Sequence, residues 1–209
     1  MKTVVYKLDG SENDIEKINL CAEIIKNGGI VAFPTETVYG LGADAYNDEA
    51  CRNIYKAKNR PAEKPLLCHL YSITQAEEIA HLTDDMRKLI GAFTPGPLTV
   101  IAPKKDGVCH TVTAGGDTVG LRFPSNREAL LFMESCGVPL AATSANISDL
   151  PAPTSGDEVM TYLDGRIDAL LDAGKVGSGI ASTIITLDNG IKVLREGSIR
   201  KEEIEEALK

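Results

Sequence analysis

The apolar positions of this chain change period along its length, and the changes mark out its elements. Residues 3–8, TVVYKL, are a short apolar run of strand length. Between residues 12 and 27 the period lengthens. Ile15, Ile18, Ala22 and Ile25 recur at helical spacing, and Gly28-Gly29 stops the segment. IVAF, from Ile30, predicts a strand that dives into a core. FPTETVYGLG, Phe33 to Gly42, then leaves through hydroxyls, a carboxylate and glycines, which is the composition of a loop. Residues 48–58 predict a helix with Asp48 as N-cap. PLLCHLY predicts a strand, and residues 74–92 one or two helices capped by Thr74 and Thr83. PLTVIAP and TVGLRFP predict strands separated by a polar, Gly-containing stretch of hairpin or long-loop character. Asn126 to Cys136 reads as helix, PLAAT as a short strand, 156–163 as helix, and IDALLD, STIITL and IKVLR as three further strands. Asp188-Asn189-Gly190 joins the last two with a hairpin signal, and RKEEIEEALK predicts a short charged helix.

Helices and strands intermix throughout, so the predicted class is α/β, with a twisted, open, mixed parallel and antiparallel sheet and flanking helices. Neither repeat, low-complexity tract nor linker interrupts the pattern, and 209 residues suit one domain over residues 1–209.

Composition narrows the class of protein. A stretch approaching the roughly 20 apolar residues that span a bilayer is missing, and MKTVVYKLDGSEND does not read as a signal peptide, so a cytoplasmic protein is expected. Five cysteines, Cys21, Cys51, Cys68, Cys109 and Cys136, are an odd number without C-x-x-C, which argues against a disulfide framework. Cys68-His69 and Cys109-His110 lack the spacing of a common zinc site, and Cys68 reads as a core-facing strand residue. The net charge of -8 argues against coating nucleic acid through bulk charge, yet leaves room for a local basic pocket.

The familiar machines are missing. Gly40-x-Gly42 lacks the third glycine of a dinucleotide fingerprint, and the chain has neither a phosphate-loop motif, a G-x-S-x-G elbow nor H-E-x-x-H. Histidine occurs three times, as His69, His81 and His110, without support for a triad. Five segments instead share one pattern, an apolar strand that ends in charged or hydroxyl residues: FPTETVYG, KAKNRPAEKPLLCH, TVGLRFP, ATSANISDLPAPT and VLREGS. Ligands of open α/β sheets lie at strand ends, so these segments are expected to converge. Lys58, Arg60, Lys64, Arg122 and Arg195 supply positive charge, Thr35, Thr37, Thr118, Thr143, Ser144 and Ser182 supply hydroxyls, and Asn146 an amide. Such a set suits a phosphate- or carboxylate-bearing ligand. Read singly, each has a plain structural account. The three cations at 58–64 are a solvated helix end, Arg122 the polar face of a half-exposed strand, Ser144 and Asn146 turn residues, and Glu36 a surface carboxylate.

Taken together and in order, FPTETVYGLGADA, KNRPAEKPL, PGPLTVIAP, VGLRFPSN, TSANISDLPAP, and STIITL followed by LREGSI resemble the YrdC family, the threonylcarbamoyl-AMP synthases, from about Ile15 to Ile199. The family's K-x-R…S-x-N signature stands here as Lys58, Arg60, Ser144 and Asn146. The resemblance implies a YrdC-like fold in its short, single-domain form. It implies a reaction in which L-threonine, bicarbonate and ATP give threonylcarbamoyl-AMP and pyrophosphate. A partner complex then transfers the threonylcarbamoyl group to the adenosine next to the anticodon of tRNA. Carried over position by position, Thr37, His69, Arg122, the backbone of Ala142, and Ser182 would contact threonine. Lys58, Arg60 and Lys64 would hold the ATP phosphates, with Lys64 the weaker assignment because relatives vary there. Thr118, Ser144, Asn146, Ala152 and Arg195 would line the nucleotide side. Mg2+ would accompany ATP, without a further cofactor. Catalysis would be electrostatic, through Lys58 and Arg60, with no covalent nucleophile. Amine attack on the bicarbonate-derived carbon and carbamate attack on the α-phosphorus both concentrate negative charge, which cations and alignment stabilise. Two other readings stand beside it: a double-stranded RNA-binding module without this catalysis, and a domain that forms carbamoyl-AMP.

Overall fold

The computed structural model describes residues 2–177, 179–188 and 190–209. In chain order the elements are β1 (Val4–Lys7), α1 (Asp14–Lys26), β2 (Val31–Phe33), β3 (Gly40–Asp44), α2 (Asp48–Lys58), β4 (Leu67–His69), α3 (Ile73–Ile79), α4 (Asp84–Phe93), β5 (Leu98–Pro103), α5 (His110–Thr113), β6 (Thr118–Arg122), α6 (Arg127–Cys136), β7 (Leu140–Ser144), α7 (Gly156–Leu163), β8 (Ala169–Asp172), β9 (Thr183–Thr186), β10 (Lys192–Arg195) and α8 (Lys201–Ala207). The strands form one sheet in the order β1-β8-β2-β3-β7-β4-β6-β5-β9-β10. β8 runs parallel to β1 and β2, β4 to β6, and β5 to β9. The β2/β3, β3/β7, β4/β7, β5/β6 and β9/β10 pairs are antiparallel. The sheet is therefore mixed, as the pattern predicts.

Each face of the sheet carries a core. The larger one packs Ile54 of α2, Ile79 of α3, Leu89 of α4, Val112 of α5, Leu163 of α7 and Ile204 of α8 against strand residues such as Leu41, Leu98 and Leu121. The smaller one packs α1 and α6 against β2, β7 and β8 through Ile18, Ile25, Phe132, Val31, Phe33, Leu140 and Leu171. A 13-residue helix such as α1 is marginal alone in water, so its buried face of Ile18, Cys21, Ala22 and Ile25 holds it in place. All five cysteines are free thiols. Among the described residues no helix is long and apolar enough to cross a membrane.

Several local expectations change. Ile15 is 46% exposed and lies outside the buried stripe of α1. The cap of α2 is Asn47, whose side chain accepts the Ala50 N–H at 3.0 Å; Asp48 instead accepts the backbone N–H and hydroxyl of Thr111. Ser72, not Thr74, caps α3, while Thr83 caps α4 as expected. The stretch between β5 and β6 contains α5. The end of FPTETVYGLG is a strand, β3, not a loop. Gly40 pairs with Phe33, and a Cβ there would come within 3.0 Å of the Phe33 ring, so the glycine makes room for an aromatic core residue. Without side chains to alternate, that strand left no periodic signal. The β9/β10 hairpin forms, but its turn residue Asn189 lies outside the described residues.

Candidate active site

The Phe33 ring meets His69 of β4 edge-on, with centroids 5.9 Å apart, which places His69 on the same face as the smaller core. On that face a cavity of about 420 Å³ opens, within the usual size of a small-molecule site. Its lining draws on all five segments with the strand-end pattern: Thr35 and Thr37; Arg60 and His69; Arg122; Ala142, Ser144 and Ala152; and Arg195. The predicted convergence occurs because β4, β6 and β7 are neighbours in the sheet, although they are far apart in sequence.

Arg122 is the most buried cation of the lining, at 4% exposed. Register places it beside His69 on β4 and Thr99 on β5. Its Nη2 donates to Glu36 Oε1 at 2.5 Å and to Thr37 Oγ1 at 3.2 Å, while its buried Nε has no partner among the described residues. The other carboxylate oxygen of Glu36 accepts the Ser125 N–H at 3.2 Å. Thr35 shapes this loop. Its hydroxyl donates to Val38 O at 2.6 Å and accepts the N–H of Thr37, a side-chain-closed turn. The Thr35 proton is thereby committed, so Thr37 donates to Thr35 Oγ1 at 2.9 Å and accepts from Arg122. Burial and the neighbouring Arg122 charge push His69 down to about 3, which leaves a neutral ring at physiological pH. Its Nδ1 is buried without a partner among the described residues.

Arg195 is fixed on Ser182, donating from Nε to the carbonyl at 3.0 Å and from Nη2 to Oγ at 2.9 Å; Ser182 Oγ also bonds Thr99 Oγ1 at 2.9 Å. Burial, then the like charge of Arg122, lowers Arg195 from its ordinary value. Arg60 is held by carbonyls of its own loop, from Nε to Lys64 O at 3.1 Å and from Nη2 to Pro65 O at 2.8 Å. Three guanidinium groups thus face one cavity in fixed orientations.

The Sua5/YciO/YrdC family model, described as "Telomere recombination", matches residues 23–197. The chain belongs to this family. It is 43% identical over 201 residues to the threonylcarbamoyl-AMP synthase of Bacillus subtilis, covering 95% of this chain and 58% of that protein. The structure of Pyrococcus abyssi Sua5 complexed with L-threonine superposes with a TM-score of 0.93 at 39% identity, covering 99% of this chain and 61% of that one. Escherichia coli YciO, at 23% identity and a TM-score of 0.85, shares the fold over 97% of this chain and 98% of its own. The chain therefore spans about three fifths of the length of the Bacillus and Pyrococcus relatives.

Lys58, Arg60, Ser144 and Asn146 do not all face the cavity. Arg60 and Ser144 line it. Lys58 is 1% exposed and stands behind the wall, donating to the carbonyls of Ser144 and Asn146 at 2.5 Å each and to Asn146 Oδ1 at 3.5 Å. Burial and the like charge of Arg60 push it down to about 7. Asn146 is a loop organiser: its Nδ2 donates to Ile147 O and Leu150 O. Lys64 is exposed and pairs with Asp149 at 3.1 Å. Thr118 is exposed at the far end of β6, four residues from Arg122 and so roughly 13 Å away along the strand. Glu36, read from sequence as a surface carboxylate, is the acid that balances Arg122. A cluster of five cations calls for a counter-ion, and that charge argument could have singled it out.

The segment after β8 seals the other side of the Thr35–Thr37 loop. Gly177 has φ +63°, and a Cβ there would lie 2.1 Å from Thr37 O and 2.6 Å from Glu36 O. Both are backbone atoms that cannot yield without moving the loop. Gly177→Ala should therefore destabilise the protein by about 1–3 kcal/mol, read as a melting-temperature drop of a few degrees, and should weaken ligand binding in the cavity. An unchanged melting temperature would show that this contact is loose.

Proposed function

We propose that this chain is an L-threonylcarbamoyladenylate synthase, a nucleotidyltransferase that makes threonylcarbamoyl-AMP and pyrophosphate from L-threonine, bicarbonate and ATP. The observation that carries this reading is the set of three pre-oriented guanidiniums, Arg60, Arg122 and Arg195, around one cavity that also holds a neutral histidine and several hydroxyls. That arrangement suits ligands with several negative charges and a chemistry that needs alignment rather than a protein nucleophile. The names of the relatives and the threonine in the Pyrococcus structure support the same choice.

In this reading the threonine carboxylate docks on Arg122, within reach of Thr37, Ser182 and the Ala142 backbone. His69, held neutral by burial, offers hydrogen bonding without adding charge beside Arg122. The threonine amine attacks the bicarbonate-derived carbon, water leaves, and a carbamate forms. One carbamate oxygen attacks the α-phosphorus of ATP, and the bond from that phosphorus to the departing pyrophosphate breaks. Arg60 and Arg195 offset the charge gathering on the phosphates, with Ser144 and Ala152 beside the nucleotide. Lys58 adds charge from behind the wall and holds Ser144 in place. Lys64, Thr118 and Asn146 belong to the nucleotide side less directly, since each stands off the cavity lining. Among the described residues, no group of three His, Cys, Asp or Glu side chains is arranged to hold a metal ion. In this reading Mg2+ would arrive with the ATP phosphates. The setting we propose is cytoplasmic, with the product consumed by a separate threonylcarbamoyl-transfer complex acting on tRNA.

The test is pyrophosphate release from ATP and bicarbonate, with and without L-threonine, with serine as the control amino acid. Threonine-dependent release is expected. Its absence from folded protein would overturn the reading, and salt-sensitive binding of double-stranded RNA would then favour the RNA module.

A further inference from the structure

The loop that carries Arg60 is held from behind by Tyr55. This residue lies in α2, three positions before Lys58. Its ring sits beneath the Arg60 guanidinium, with Cζ 5.9 Å from the ring centroid. Its hydroxyl lies 2.9 Å from Lys64 O and 3.0 Å from Thr111 O. The same Lys64 carbonyl accepts from Arg60 Nε, so one oxygen joins both side chains through its two lone pairs. The Arg60 backbone N–H closes on Tyr55 O at 2.9 Å. Thr111, the second anchor of the hydroxyl, is itself tied to α2: Asp48 Oδ1 accepts its N–H at 3.3 Å and its hydroxyl at 2.5 Å.

A guanidinium has five N–H donors in a rigid fork. Two groups of the Arg60 fork are committed to carbonyls of its own loop, and the remainder is left for the cavity that Arg60 lines. An arginine on a free loop would lose rotamer freedom when a ligand ordered it; one already clamped does not. We propose that Tyr55 is a positioning residue for the phosphate side of the site. It stacks beneath Arg60 and fixes the Lys64 carbonyl, so that a polyphosphate meets a cation already in place. The proposal rests on the reading of Arg60 as a contact of the ATP phosphates. Tyr55 itself touches no ligand in this scheme.

Tyr55 also packs against the larger core, so a role in stability alone has to be separated. Tyr55→Phe keeps the ring and removes the hydroxyl; Tyr55→Leu removes both. Pyrophosphate release is measured against ATP and against threonine, with melting temperatures alongside. Losing one neutral hydrogen bond should raise the KM for ATP roughly three- to tenfold in Tyr55→Phe. Losing the ring contact as well should bring the rise to roughly ten- to thirtyfold in Tyr55→Leu. The KM for threonine should stay unchanged, and Tyr55→Phe should add nothing in an Arg60→Ala background. An equal effect in that background, or parallel rises in both KM values that follow the lost melting temperature, overturns the proposal. If Arg60→Ala leaves the KM for ATP unchanged, or the wild-type chain releases no pyrophosphate, the assignment of Arg60 fails instead. Tyr55 is then judged by the Arg60 Nε–H signal in 1H–15N spectra. A distinct, slowly exchanging signal lost in Tyr55→Leu supports clamping, and its retention overturns it.

Discussion

Arg122→Ala should raise the KM for L-threonine roughly 30- to 1000-fold, since truncating one partner of a buried, hydrogen-bonded charge pair costs about 2–4 kcal/mol. Arg122 is 4% exposed, and among the described residues its Nε has no hydrogen-bond partner. Glu36 supplies the balancing charge at 2.5 Å, which leaves part of the fork for an incoming carboxylate. The alanine variant also leaves Glu36 with the Ser125 N–H but without its cation, so some stability should be lost. Arg122→Lys separates the two effects. It keeps a positive charge beside Glu36 but lacks the planar fork, so the threonine KM should rise about tenfold with a smaller change in melting temperature. Steady-state pyrophosphate release over a threonine titration, with ATP saturating, reads both variants. A normal threonine KM in a folded Arg122→Ala protein would move the amino-acid pocket elsewhere in the cavity.

Lys58→Met should lower kcat/KM for ATP by roughly 100-fold while leaving the threonine KM nearly unchanged. Methionine has a similar length but no donors. The carbonyls of Ser144 and Asn146 would then be left without the ammonium that now bonds them, at about 1–3 kcal/mol for each stranded acceptor. Ser144, a lining residue, would lose its anchor along with the local charge. The wild-type protein should also show a pH effect. Burial and Arg60 hold Lys58 down to about 7, so ATP use should weaken as pH rises through that value and the charge is lost, and Lys58→Met should flatten the profile. Stability runs the other way. The unfolded chain keeps this proton up to the ordinary value of 10.5, whereas the folded chain releases it near 7. Between those values the unfolded state binds more protons, so this group's contribution grows with rising pH and is lost as pH falls through about 7. Denaturant unfolding across that window should show a shallower rise in Lys58→Met. A folded variant with unaltered ATP kinetics would remove Lys58 from the account of catalysis.

Most elements were legible because their apolar positions repeat at one period. The stripe of α1 and the Thr83 cap of α4 report local burial and local hydrogen bonding, whereas Arg122, which reads as the polar face of a half-exposed strand, is buried because both faces of β6 are covered. β3 was not legible, since Gly40 and Gly42 offer no side chain to alternate and their reason is the Phe33 ring on another strand. Within the site, the segments that converge were legible as strand ends turning polar. The orientation of each side chain was not. Lys58, Arg60 and Lys64 sit within seven residues of one another, yet one is buried behind the wall, one lines the cavity and one pairs with Asp149 at the surface.

By itself, then, the sequence determined the α/β class, the family, and the strand ends where cations and hydroxyls gather, because periodicity, caps and motifs are local properties of the chain. The tertiary structure alone decided that Glu36 balances Arg122, 86 residues away, that Thr118 stands off the cavity, and that Tyr55 braces Arg60. Those relations depend on which strands adjoin and which way each side chain leaves its strand or loop, and strand order is set by packing the two faces of the sheet together, not by any single segment.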